Sequence, residues 1–174
     1  VLYVSGEESG AQIALRAKRL LIDAKELKLQ AEIQLEKILG TLADLKPESK
    51  LAPPHGTKAR LRQDELAVFI STEIHKTYSP LFNPATPPEG RQIAMDKLAT
   101  RYAMMEELLS DGRPYLTGQT FATVDAYLFT ITRWAQPLNF DLSKFPNVLA
   151  FQKRVAERPA VKAALEAEGL VKAA

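Results

Sequence analysis

Few residues in this sequence have the types and the spacing that chemistry requires. The chain contains no cysteine, which excludes a thiol nucleophile, a thiolate metal site and a disulfide. Its two histidines are His55, alone in a proline-rich stretch, and His75, which precedes Lys76 at the end of a predicted helix. A lone exposed histidine usually has no chemical role, and we expect none for His55. From these residues we predict no catalytic residue and no metal site.

Composition and charge exclude several further classes of function. Lys and Arg total 23 against 21 Asp and Glu, a net charge of +2 without the clustered cations that phosphate backbones require, so we expect no nucleic-acid partner. The phosphate-binding pattern GxxxxGK[ST] does not occur, so we expect no nucleotide either. There is no signal-peptide pattern and no apolar run long enough to cross a membrane. We therefore predict a cytoplasmic protein without a membrane partner.

One stretch, YLTGQTFATVDAYLFTITRWAQP at residues 115–137, predicts the helix around which the others pack. Within it AYLFTITRWA is apolar on every side, with Arg133 as its one charge, and a helix of this kind is buried. Asp125 lies where a carboxylate can accept backbone N–H groups of the first turn. Pro137 cannot continue the helix. We predict a central helix over 124–136.

Apolar periodicity predicts further helices on either side of the central one, which together make an all-α domain over 58–174. A linker over 49–57 precedes them, because adjacent prolines and a glycine favour an extended chain. The other predicted helices of the domain span 58–78, 89–110, 146–157 and 159–169.

The first segment, 1–48, has a different pattern. Val1 to Val4 form a short apolar strand, a Gly/Glu/Ser turn follows, and two helices come next, the second over about 31–45. We predict a strand–helix–helix appendage whose strand has no partner, because a stable sheet requires several strands.

The sequence of this segment resembles the core of the RadA-type bacterial DNA-repair ATPases in two stretches, VLYVSGEES…IALRAKRL and AEIQLEKIL. The resemblance covers about residues 1–48. It would match Glu7 or Glu8 to a glutamate beside the ATP γ-phosphate. Since the phosphate-binding pattern is missing, we interpret the segment as an incomplete fragment without ATPase activity.

The rest of the chain resembles another family. Four stretches are similar to the C-terminal helical domain of bacterial, beta-class-like glutathione S-transferases. They are LAPPHGT, STEIHKTYSPLFNP, YLTGQTFATVDAYLFTITRWA and FPNVLAFQKRVAERPAVKAALEAEGL. The resemblance extends from about residue 42 to 174. Because LADLKPE at 42–48 suits both families, we interpret the chain as a chimera joined there. The implied fold is the helical bundle of that domain carrying the appendage.

The resemblance implies conjugation of the co-substrate glutathione to small hydrophobic electrophiles. It assigns His75 and Lys76 to glutathione binding, although a solvated helix end is the alternative. It assigns Tyr78 and Trp134 to the hydrophobic-substrate site, although both could be core residues. The family's thioredoxin-like domain supplies the residue that activates the thiol. We expect that domain to be absent here and the chain to be inactive alone.

Two positions depart from the family pattern. Val68 replaces an asparagine that in related proteins reaches the partner subunit's glutathione. Ala122 replaces the serine or threonine that caps the central helix, and we expect Thr123 to act as the cap, with Asp125 in the second helical position. The alternative function is a non-catalytic helical binding or dimerisation module. Because the resemblance implies dimer contacts that come partly from the helices at 58–78 and 89–110, we expect a weak or heterogeneous homodimer.

Overall fold

The computed structural model describes residues 2–5, 9–20, 28–32 and 35–171, so Glu7 and Glu8 lie outside the described residues. Helices predominate in these ranges. In chain order the elements are β1 Leu2–Ser5, α1 Gly10–Arg19, β2 Lys28–Ala31, α2 Leu35–Leu45, α3 Lys58–Phe69, α4 Lys76–Phe82, α5 Pro88–Leu108, α6 Thr123–Thr132, α7 Pro146–Ala156 and α8 Pro159–Ala167. A π-helical turn, Ile70–His75, joins α3 to α4, and 3₁₀ turns occur at Pro47–Ser49 and Arg133–Ala135.

The appendage differs from its prediction. Strand β1 does have a partner: it pairs in parallel with β2, with Leu2 opposite Lys28. Helix α2 accordingly begins at Leu35, not at 31. A strand of four residues is too short to show a clear period in the sequence, and its pairing depends on a contact between distant parts of the chain. The segment is thus strand, helix, strand and helix.

The prediction of a buried central helix is confirmed, although the helix is shorter than expected. Of the ten residues of α6, all but Ala126 and Thr130 are buried. The regular helix ends at Thr132, and the 3₁₀ turn continues it to Ala135. Helices α2, α3 and α7 and the π-helical turn all pack against α6. The hydrophobic core therefore surrounds this helix, as a helix apolar on every face requires.

The single helix predicted over 58–78 is wrong in two respects. Its second half contains the π-helical turn, in which the Lys76 N–H donates to the Ser71 carbonyl five residues earlier. The helix then continues past Pro80 to Phe82, so this proline does not end it. A proline has no backbone N–H to donate to a carbonyl of the preceding turn. Its position within α4 is therefore tolerated where packing holds that turn in place. Leu81, 3% exposed, provides such packing.

Candidate functional site

His75 lies where the π-helical turn meets α4. Its Nδ1 is hydrogen-bonded to the hydroxyl of Tyr127 on α6, at 2.8 Å. Its half-buried ring also meets the ring of Trp134 edge-on, with 5.0 Å between centroids. The imidazole is thereby fixed between a hydroxyl and an indole, both carried by the central helix or its extension. Tyr127 was not predicted, because its distance of 52 residues from His75 gives no sequence signal.

Lys76 follows directly and is exposed. No ion pair to it is found in the part of the chain that the structure describes. An exposed ammonium beside a positioned imidazole can attract a carboxylate, and the strength of that attraction depends on solvent screening. The structure thus brings His75 and Trp134 together and leaves Lys76 at the surface next to them.

Trp134 and Tyr78 are in contact but differ in exposure. Their rings meet edge-on at 5.7 Å, and the Trp134 ring meets that of the exposed Phe82 at 5.1 Å. Tyr78 itself is 0% exposed, whereas Trp134 is partly exposed. Of the two residues predicted for a substrate site, Trp134 can touch a ligand directly. Tyr78 occupies the core behind it, which was the alternative considered for this residue.

The hydroxyl of Tyr78 belongs to a buried polar chain. It is hydrogen-bonded to the hydroxyl of Tyr102 at 3.0 Å, and Tyr102 donates to the Thr132 hydroxyl at 3.2 Å. Burial raises the pKa of Tyr78 strongly and that of Tyr102 to about 12. Both groups therefore remain neutral hydroxyls at physiological pH.

The N-terminal cap of α6 differs from the predicted one. The N-cap is Ala122, so Thr123 is not the cap, and Asp125 occupies the third helical position instead of the second. The Asp125 carboxylate accepts the backbone N–H groups of Leu116 at 2.8 Å and of Ala122 at 2.7 Å. It is 0% exposed, and burial raises its pKa to about 6, more than these hydrogen bonds lower it.

Thr123 has other partners. Its backbone N–H donates to the Leu51 carbonyl at 2.9 Å, and its hydroxyl accepts from the amide of the buried Gln63 at 3.0 Å. Alanine has no side-chain acceptor for the first turn, and the Leu51 carbonyl satisfies the N–H of the first helical residue. Leu51, in the linker before its prolines, is thereby joined to the start of α6.

A polar cluster that the sequence analysis missed joins α2 to α3. Arg60, 5% exposed, donates to the Asp44 carboxylate at 2.8 Å and to the Asp64 carboxylate at 3.0 Å. The hydrogen bond from Arg60 holds the pKa of Asp44 below its usual range. His55 pairs with the same carboxylate at 2.7 Å. The segment before the linker is therefore tied to the helical domain.

Over the described ranges, no group of three or more His, Asp or Glu side chains is placed to hold a metal ion, and none of the helices is long and apolar enough to span a bilayer. A cavity of about 780 Å³ is lined by Trp134, but not by His75, Lys76 or Tyr78.

Comparison with known proteins shows the family of the chain. Residues 69–159 match the family described as "Glutathione S-transferase, C-terminal domain". The chain belongs to the glutathione S-transferase family. It is similar to glutathione S-transferase GstA of Escherichia coli O157:H7, with 39% identity over 133 residues that make up 76% of this chain and 66% of that protein. The chain thus spans slightly less than two thirds of the length of this transferase.

Solved structures agree with this assignment. A glutathione transferase from Methylococcus capsulatus superposes with a TM-score of 0.79 and 46% identity, over 84% of this chain and 71% of that one. A sphingomonad glutathione S-transferase complexed with glutathione superposes with a TM-score of 0.76 and 35% identity, over 80% and 69%. The superposed part, 84% of this chain, is longer than residues 49–174. Part of the segment before residue 49 therefore also superposes on the transferase fold.

A second similarity concerns part of the chain only. DNA repair protein RadA of Aquifex aeolicus is 66% identical over 78 residues, which are 45% of this chain and 18% of that protein. This match is longer than the 48 residues assigned to the ATPase-like segment from the sequence. Because the match covers only 18% of RadA, it does not assign the activity of RadA to this chain.

Proposed function

We propose that this chain forms the helical side of a glutathione transferase site. In this proposal His75 and Lys76 contact glutathione, and Trp134 forms a wall for a hydrophobic electrophile. The observation that supports it is the fixed His75 ring, hydrogen-bonded to Tyr127 and packed on Trp134. The π-helical turn that ends at His75 is a second support, because such irregular turns in helices occur frequently at functional sites. Tyr78 supports Trp134 from the core.

Transfer chemistry also requires a thiolate. A thiol near its ordinary pKa is only a few per cent ionised at neutral pH, so a donor or positive field must act on the sulfur. The buried hydroxyls of Tyr78 and Tyr102 are hydrogen-bonded to each other, and burial raises the pKa of both. Neither is available for that role. We therefore expect these 174 residues alone to bind glutathione weakly and to give no turnover.

The size of this weak binding follows from the groups present. A partly exposed ion pair to Lys76 contributes about 0–1 kcal/mol, whereas millimolar affinity requires about 4 kcal/mol. The dissociation constant of glutathione should therefore be above about 1 mM.

The test is a glutathione titration followed by NMR, together with a turnover assay using a chromogenic electrophile. Chemical shift changes should be confined to the surroundings of His75, Lys76 and the Trp134 indole, and Lys76→Ala should weaken them. The matched control is Lys153→Ala, a change of the same kind in helix α7. Shift changes scattered over other surfaces, or equal effects of the two variants, would contradict the proposed site. A rate well above the uncatalysed one would show that the chain activates the thiol itself.

We also propose that residues 1–48 are a RadA-like segment joined to the transferase domain. The support is the 66% identity with RadA of Aquifex aeolicus over 78 residues and the double similarity of LADLKPE at 42–48. The ion pair between Asp44 and Arg60 joins the end of this segment to the helical domain. The informative measurement is the sequence of genomic DNA and transcript across 42–48. One uninterrupted reading frame there would support a natural fusion, and separate frames would contradict it.

Self-association is a further part of the proposal. Leu61 and Val68, seven residues apart and therefore on one face of α3, are 66% and 52% exposed. We expect a weak homodimer in which this face is covered. Light scattering should show that Val68→Lys lowers the dimer fraction, while Leu149→Lys, on the exposed surface of α7, does not. A strictly monomeric wild type at high concentration would contradict the proposal.

A further inference from the structure

The three methionines of this chain differ in their access to solvent. Met104, on α5, is 47% exposed, whereas its neighbour Met105 is 4% exposed and Met95 is half-buried. A methionine thioether is converted to the sulfoxide when an oxidant can reach the sulfur. Met104 is therefore the methionine that an oxidant in solution meets first.

Arg101, one helical turn before Met104, holds a charged donor beside this sulfur. Its Nη1 atom is 4.0 Å from Met104 Sδ, within reach of the weak hydrogen bond that a thioether can accept. The other arm of the same guanidinium is fixed, because its Nη2 atom is 2.6 Å from Oε2 of Glu73 in the π-helical turn. A guanidinium is planar and rigid, so the ion pair through Nη2 also sets the direction of Nη1. The sulfur of Met104 thus has a positioned cation next to it.

The oxidation of a thioether by a peroxide places charge where such a cation can act. The sulfur lone pair attacks one oxygen of hydrogen peroxide and the O–O bond breaks. The proton of the transferred oxygen then passes to the departing hydroxide, which gives sulfoxide and water. The sulfur is oxidised by two electrons and the peroxide is reduced. An N–H group beside the sulfur stabilises the negative charge that develops on the departing oxygen.

We propose that Met104 is a peroxide-reactive site of this chain, at which Arg101 accelerates conversion of the thioether to the sulfoxide. The product also fits this place. A sulfoxide oxygen is a stronger acceptor than a thioether sulfur, so it can accept a hydrogen bond from Nη1 while Nη2 stays on Glu73. The chain oxidised at Met104 should therefore remain folded, in contrast to a chain oxidised at the buried Met105.

This reaction is independent of the proposed transferase site. It uses neither His75 nor Lys76, and it requires no glutathione. Methionine sulfoxide is reduced again by methionine sulfoxide reductases, so the modification is reversible.

The test is a competition for limiting hydrogen peroxide between the whole chain and N-acetylmethionine amide, at a protein concentration where light scattering shows the monomer. Peptide mass spectrometry measures the sulfoxide at each methionine. A rate set by exposure alone would be below that of the competitor, because Met104 is only 47% exposed. Assistance by Arg101 should instead make Met104 react about threefold faster than the competitor or more. Met95 and Met105 should stay reduced.

Two variants separate the donor from its ion pair. Arg101→Gln removes the guanidinium and should slow oxidation of Met104 by about threefold or more. The matched control is Lys97→Gln, which removes the other cation on α5 that lies near Glu73, at 3.9 Å. Oxidation of Met104 in this control should proceed at the wild-type rate.

Three results would overturn the proposal. These are slower oxidation of Met104 than of the competitor, an unchanged rate in Arg101→Gln, and an equal loss of rate in Lys97→Gln. Circular dichroism checks that both variants are folded, and a loss of helical signal after oxidation of Met104 alone would contradict the place assigned to the sulfoxide. Should Arg101→Gln not fold, the competition between the wild-type chain and N-acetylmethionine amide decides.

Discussion

Replacement of Asp125 by alanine should strongly destabilise the fold. The carboxylate accepts two backbone N–H groups, from Leu116 and Ala122, and is 0% exposed. An ordinary exposed cap contributes about 0.5–2 kcal/mol. Here both N–H groups would be left buried without an acceptor, and each such group costs about 1–3 kcal/mol. We therefore expect Asp125→Ala to lower the free energy of unfolding by about 2–6 kcal/mol.

The measurement is urea unfolding followed by circular dichroism. Asp141→Ala is the matched control, because Asp141 also accepts a backbone N–H, from Ser143 at 2.8 Å, but does so at the surface. The control should be much less destabilising. Equal effects of the two variants, or a midpoint for Asp125→Ala within error of the wild type, would refute the argument that burial sets the cost.

The pH dependence of this group has a defined sign. Burial raises the pKa of Asp125 to about 6 from its ordinary 3.8, so the native state holds the proton more tightly than the unfolded chain. Its contribution to stability is therefore fully present below pH 3.8 and is lost as the pH rises through about 6. A pKa difference of about 2 corresponds to about 3 kcal/mol. The cost of Asp125→Asn should accordingly be smaller at pH 7 than at pH 4.5, and an increase would contradict the assignment.

Two further variants test the core and the junction. Tyr102→Phe should lower the free energy of unfolding by about 1–3 kcal/mol, because the buried hydroxyls of Tyr78 and Thr132 lose their shared partner; no change in the urea midpoint would contradict this. Arg60→Met should speed amide hydrogen exchange in α2, because Arg60 ties that helix to α3. Since the arginine lowers the pKa of Asp44, the stability it adds should be present above the usual carboxyl range and lost as the pH falls through the lowered pKa. An unchanged rate of amide hydrogen exchange in α2 would contradict the argument that Arg60 holds this helix on α3.

Much of the helical domain could be predicted from local sequence. The apolar run around 126–135 identified the buried central helix, because a helix without a polar face can only lie inside a core. Asp125 was predicted to accept backbone N–H groups of the first turn, whereas it accepts those of Leu116 and Ala122, in front of the helix. The resemblance of the quoted motifs located His75, Lys76 and Trp134, whose roles at a site remain proposals.

The tertiary structure decided how these residues meet. The π-helical turn, the hydrogen bond between His75 and Tyr127 and the cluster of Arg60 with Asp44 all join positions whose separation leaves no periodic trace in the sequence. The pairing of β1 with β2 was missed for the same reason. Periodicity along a chain reports which face of an element is apolar, whereas the partner of a polar group is fixed by the packing of distant elements. For that reason the sequence predicted most of the helices and the burial of the central one, and the packing alone decided which polar side chains meet, as His75 meets Tyr127.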